Sequence, residues 1–537
     1  MAGKTWQEIH AAKKVEQLER IPAEWRLSEA SLPTAGIVDL RPIAESCGLL
    51  SPQELVITRD YDATALIAAI ADGTYTAVEV VKAFCKRAAV AQQVCNCLTE
   101  IMFLDAISAA EGLDNYFKET GKTVGPLHGL PMTFKECFHI KGYDASDGYI
   151  SRAFDPSTHD SYMVELVRAA GAVVIAKTNT PQTMLCIESE NNVFGRTKNP
   201  VVSHLTCGGS SGGEGCVLAF RGSALGIGTD VAGSIRIPSA ANGIYGYKPS
   251  FGVLPMLGFA PSNWPGQNTG IPAVLGPLAH SARDLVLLTR VIRDMQPWHG
   301  DPAVIPDVLE AGTQSRRPVV GIFYKSGLTP HPPVYRALRE AVAKLQNAGY
   351  EVKDFVPPDF VEIRKITKQL LTLDGLSYPK RELEKAGEPV LPAVESFGFW
   401  SEPAKTPEEH WALNAQKGAM QKQMLDRWQQ AEVDVVICPA GPYTAVLPGG
   451  WISDHYTVAW NAVDYPAVVI PFISADSELD QKDANFLATS SADGSVQALY
   501  DPKLMAGAPV CLQIVGSRLR DEQLLEDVKM IDGVLNG

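Results

Sequence analysis

Between Gly208 and Gly233, nine of 26 residues are glycine, against 45 in the whole 537-residue chain. Such density means that backbone passes close to another surface, or adopts φ values that side chains resist. It also brings two hydroxyls together, Ser210 and Ser211 of "TCGGSSGGEG" (206–215), where few side chains can interfere. A phosphate cradle is one chemistry for such a loop, but the Walker pattern needs GK[ST] where this chain has Glu214, and "GIGTDVAG" is not GxGxxG. A nucleophile elbow is a second, because Gly208–Gly212 and Gly209–Gly213 both fit GxSxG. That motif is short, and its triad needs a downstream acid and histidine, yet His280, His299, His331, His410 and His455 lie in unremarkable contexts.

The surrounding texture is α/β. "LPMTFKECFHI", "AVVIAK", "VDVVICPA", "YPAVVIPF" and "PVCLQIVG" are apolar runs of strand length separated by helical stretches, which predicts a large sheet covered by helices on both faces. Gly171 ends the helix before "AVVIAK". The first 120 residues read as helices, with capping boxes at Thr5–Glu8 and Thr76–Glu79. The second box opens a helix that places Val80, Val81, Phe84 and Ala88 on one face. Pro-rich stretches near 255–275 and 326–333 read as surface loops. Length alone allows three or four domains, but without a linker or repeat the expectation is one large unit, with residues 1–75 as a helical segment packed on the rest.

Composition narrows the partners. A net charge of −14 offers no electrostatic footprint for nucleic acid or an anionic membrane surface. The start "MAGKTWQEIHAAKK" lacks the apolar region of a signal peptide, and no run of about 18 apolar residues occurs, so a soluble cytoplasmic protein is expected. Ten cysteines without a CxxC pair fit free thiols in a reducing compartment and no structural metal. Cys207, beside the serines, reads as a small buried hydrophobe.

Taken whole, "CGGSSGGEGCVLAFRGSALGIGTDVAGSIRIPSAANGIYGYKPSFG" (207–252) resembles the amidase signature family, whose hallmark is GGSSGG followed by GTDxGGSxRxP. "GPLHGLPMTFKECFHIKGYDASDGY" looks like that family's lysine segment, and "AKTNTPQTM", "NNVFGRTKNP" and "GAPVCLQIVGSRLRDEQLL" also match. The likeness spans roughly residues 50–530; three long motifs in order make coincidence very improbable. With "TWQEIHAAKK", "AFCKRAAVAQQ" and "CGGSSGGEG", the chain is most similar to the fungal-type acetamidases of the family. Lacking an apolar anchor, it is less like the membrane-bound fatty acid amide hydrolases. The resemblance implies an amidase signature domain over 76–537, with its Lys/Ser/Ser core in 124–255.

Amide hydrolysis needs a nucleophile, a proton acceptor, donors for the oxyanion and a proton for the departing amine. The family's Ser-Ser-Lys triad, carried across, implies Ser234 as the acylated nucleophile, Ser210 as the relay after a cis peptide bond, and Lys135 as the base. A lysine acts as a base near neutral pH only when burial without a carboxylate partner keeps it neutral. Alternation of Met132 and Phe134 with Thr133 and Lys135 puts Lys135 inside a strand, where, judged on this segment alone, it reads as guarding a sheet edge. Glu136 then faces the other way. Ser211 either supports Ser210 by hydrogen bonding or stabilises the loop.

The N–H groups of Val231, Ala232, Gly233 and Ser234 resemble the family's oxyanion hole. Asp230 and Arg236 read as a structural pair orienting that loop, and Met184 matches a pocket-lining position. Three departures stand out: Ala232 for the usual glycine, which would narrow the site, Glu136 for Asp, and "DASDG" for a threonine-rich turn. The expectation is a serine amidase without metal or cofactor that releases ammonia from a small aliphatic amide such as acetamide. An arylacetamide such as indole-3-acetamide is the rival, and an esterase or an amidotransferase subunit remain further alternatives. A homodimer follows from family habit only.

Overall fold

The computed structural model describes residues 4–34, 36, 38–260, 262–306 and 316–537. The apolar runs assemble into one 11-stranded mixed sheet. Across it the strands lie in the order Leu98–Ile101, Val173–Thr178, Pro131–Lys135, Leu225–Asp230, Val274–Ala279, Tyr245–Lys248, Ala467–Ser474, Pro509–Gly516, Val435–Pro439, Val320–Ile322 and Val352–Asp354. Every residue of Val173–Thr178 and Leu225–Asp230 is buried, which requires cover on both faces and explains why these segments lack a polar alternation.

Pro131–Lys135 is an interior strand, paired in parallel with Val173–Thr178 on one side and Leu225–Asp230 on the other. Lys135 therefore does not guard a sheet edge. Around the sheet, the helix Ala77–Cys95 starts at the Thr76/Glu79 capping box and buries Val80, Val81, Phe84 and Ala88. Gly171, at φ +94°, closes the helix Tyr162–Ala169 as its N–H bonds the Arg168 carbonyl.

The N-terminal region is not wholly helical. "LTEI" forms the edge strand Leu98–Ile101, antiparallel to Val173–Thr178. Its outer carbonyls are covered by the first helix, Trp6–Glu19, whose Gln17 side chain donates to Leu98 and Thr99 at 2.8 and 3.0 Å. From the same helix, buried Lys13 reaches Glu100 at 2.9 Å and Asp144 at 2.6 Å. Lys13→Ala leaves those carboxylates buried with less compensation, so a loss of roughly 3–5 kcal/mol is expected, read as a lower urea midpoint. Among the described residues, no helix is long and apolar enough to cross a membrane.

Candidate active site

Two neighbouring parallel strands deliver the chemistry to one end of the sheet. Lys135 is the last residue of its strand, and Leu225–Asp230 runs beside it with Phe134 opposite Ile227. The chain leaves that second strand through Val231, Ala232 and Gly233, places Ser234, and enters the helix Arg236–Asn242. Ser210 and Ser211 lie just before the helix Gly212–Ala219, and the Gly209–Ser210 peptide bond is cis. That helix sits hard against its surroundings: a Cβ on Gly213 would lie 2.2 Å from the Asn179 nitrogen, so only glycine fits.

Lys135 Nζ lies 2.6 Å from Ser210 Oγ and 2.8 Å from Thr229 Oγ1. The amine is fully buried, which pushes its pKa down to about 8, although the Asp147, Asp230 and Glu214 carboxylates pull it partly back. No carboxylate forms an ion pair with it among the described residues. Glu136 makes separate contacts, accepting from Thr99 Oγ1 at 2.5 Å and from the N–H and Oγ of Ser146 at 2.9 and 2.8 Å.

Ser210 and Ser234 line the same cavity, of about 500 Å³. The Ser211 N–H donates to the Ser234 carbonyl at 3.1 Å, which ties the two serine loops together. The Ser211 hydroxyl bonds the backbone of Thr229 and not Ser210, so its contact is with the loop and strand.

Asp230 anchors the turn that presents Ser234. Its carboxylate accepts the Gly233 N–H at 2.8 Å and the Ile235 N–H at 3.1 Å, and it meets the Arg236 Nε and Nη2 at 3.0 Å each. Burial alone would raise its pKa, but the Arg236 guanidinium holds it well below the usual carboxylate range. Gly233 takes φ +126°, a conformation that L side chains rarely adopt. With its N–H committed to Asp230, the N–H groups of Val231, Ala232 and Ser234 remain as donors at this turn. The Ala232 side chain is buried in the core and is not among the described residues that line the cavity.

Met184 lines the cavity, together with residues that sequence reasoning passed over. Thr229 stood next to Asp230 in the quoted motif, and its hydroxyl could have been suspected from that place. The Pro-rich stretch near 255–275 is no mere surface loop, because Met256, Phe259, Trp264 and Ile271 form part of the cavity wall. Cys137 and Asp147 line it too; burial pushes the Cys137 thiol up to about 12, leaving it a neutral wall. No histidine lines the cavity among the described residues, so a Ser-His-acid triad has no base here.

An amidase family model matches residues 79–525, most of the chain. The chain belongs to the amidase family. Its curated relatives include the acetamidase of Emericella nidulans, 37% identical over 97% of this chain and 96% of that one. The acetamidase of Aspergillus oryzae is also 37% identical, with both chains fully covered. Among solved structures, a fatty acid amide hydrolase superposes with a TM-score of 0.93 at 32% identity, covering 99% of this chain and 96% of that one. A second amidase structure, with a TM-score of 0.71 at 24% identity, shares the fold. This protein is an amide hydrolase of the amidase signature family.

Proposed function

We propose that the protein hydrolyses a primary carboxylic amide through an acyl-enzyme on Ser234. The observation that carries this reading is the 2.6 Å contact between buried Lys135 Nζ and Ser210 Oγ. When the amine is neutral, it takes the Ser210 proton while Ser210 takes that of Ser234, and the Ser234 oxygen attacks the amide carbon. The N–H groups of Val231, Ala232 and Ser234 receive the developing oxyanion. Ser210 then returns a proton to the departing nitrogen, and ammonia leaves. Water, activated through the same pair, releases the carboxylate. These steps use no cofactor, and a small-molecule amide is the partner proposed.

For the acyl group, the names of the fungal relatives support a small aliphatic amide such as acetamide. A specific observation favours the arylacetamide reading: the cavity of about 500 Å³ exceeds what an acetyl group fills, and Phe251, Phe259 and Trp264 line it. Ammonia release should be measured over acetamide, butyramide, benzamide, phenylacetamide and indole-3-acetamide. The cavity predicts that the arylacetamides exceed acetamide by at least about tenfold in kcat/KM, since burying an aryl ring contributes about 2 kcal/mol. The reverse order would return the substrate to the small aliphatic class.

A further inference from the structure

One acidic side chain in the cavity wall has no part in the steps above. Asp147 follows the turn in which Ser146 bonds Glu136, so it is tethered to the strand end that carries Lys135. It is wholly buried and lines the same cavity as Ser210 and Ser234. Among the described residues lining that cavity, no other carries a carboxyl group. Among the described residues, neither of its oxygens accepts a hydrogen bond. The nearest cation, Arg152 Nη1, lies 3.7 Å away, beyond hydrogen-bond range, and the Nη2 of that guanidinium donates to Tyr378 Oη at 2.8 Å. A buried carboxylate without a donor is costly. Burial accordingly pushes its pKa up to about 6, with Arg152 and Lys135 pulling it back.

We propose that Asp147 is a specificity-determining residue that accepts a hydrogen bond from an N–H or ammonium group on the acyl part of the substrate. The proposal rests on the amidase reading and adds the substrate class: amides whose acyl chain carries a donor, set among apolar contacts with Phe251, Phe259 and Trp264. A site built to hydrogen-bond a substrate N–H discriminates strongly against the analogue that lacks it, because its own polar group is then left unpaired.

Two substrate pairs test this. 4-Aminobutyramide is compared with pentanamide, which replaces ammonium by methyl, and indole-3-acetamide with its 1-methyl analogue. The wild-type protein is expected to favour the donor member of at least one pair by about tenfold or more in kcat/KM, mainly through KM. Asp147→Leu should bring that ratio within about twofold of one. Asp147→Asn keeps an acceptor but no charge, so a preference that survives it marks a neutral N–H donor, and one that collapses marks an ammonium. The wild-type ratio needs no variant and so holds even where a variant fails to fold. Equal, Ser234-dependent turnover within both pairs would overturn this proposal alone and leave Asp147 as a structural partner of Arg152. A ratio that persists in Asp147→Leu would overturn it as well. No ammonia from any of the four, beside Ser234-dependent release from acetamide, would overturn this proposal alone, and no ammonia from these or from acetamide would overturn the primary-amide reading and this proposal together.

Discussion

Ser234→Ala is expected to lower kcat for every amide substrate by at least about 10⁴-fold, because in the proposed mechanism Ser234 is the covalent nucleophile and its loss removes the whole two-step path. The substitution deletes one hydroxyl from a residue 6% exposed and keeps its Cβ, so the thermal midpoint should move little. Asp230 still holds the turn through the Gly233 and Ile235 N–H groups, and the cavity keeps its shape. Binding of a competitive acid or amide should therefore persist. A variant that retains turnover within tenfold of wild type would remove Ser234 from the mechanism.

Lys135 carries the second large effect. In the proposed mechanism its working form is the neutral amine, and burial lowers its pKa from 10.5 to about 8. Activity should therefore rise about tenfold per pH unit below pH 8 and level off above it. At pH 7 the shift makes roughly 300-fold more neutral amine than an ordinary lysine would supply. In Lys135→Met, kcat/KM is expected to fall by about 10²–10⁴-fold and the pH-dependent limb to vanish. Stability moves the other way. Because the folded pKa lies below the unfolded one, the buried ammonium weakens the fold fully below pH 8, and the penalty disappears as pH rises from 8 to 10.5. Lys135→Met should accordingly be more stable than wild type at pH 7, by up to a few kcal/mol, and lose that advantage above pH 10.5. An unchanged pH–rate profile in the variant would exclude Lys135 as the base.

What could be read from the chain depended on how far each signal extended along it. Strands such as Val173–Thr178 and Val435–Pro439 were legible because burial on both faces leaves continuous apolar runs. "LTEI" was missed because four residues containing Thr and Glu carry no such run, and its place comes from pairing with Val173–Thr178 and from cover by Gln17. Lys135 looked like an edge residue because a sequence shows alternation and not neighbours; its two parallel partners lie roughly 40 and 90 residues downstream.

The positions now found at one end of the sheet were legible as three long motifs, since each brings its own backbone geometry. The cavity wall was not. Met256, Phe259 and Trp264 stand in a Pro-rich stretch without periodicity, and Leu371 reaches the cavity from more than a hundred residues away. Asp147 is marked in the sequence only as part of the departure "DASDG", where an acid in a turn is ordinarily solvated; burial and, among the described residues, the absence of a hydrogen-bond donor distinguish it.

The proposed mechanism turns on a covalent bond to Ser234, and trapping that bond tests it most directly. Protein mixed with a slowly deacylating ester or amide, quenched in acid and digested, should yield the peptide containing Ser234 heavier by the acyl mass. The same label should be absent from Ser234→Ala and from the peptide containing Ser210. Label on Ser210, or turnover with no acylated peptide at any quench time, would contradict the assignment.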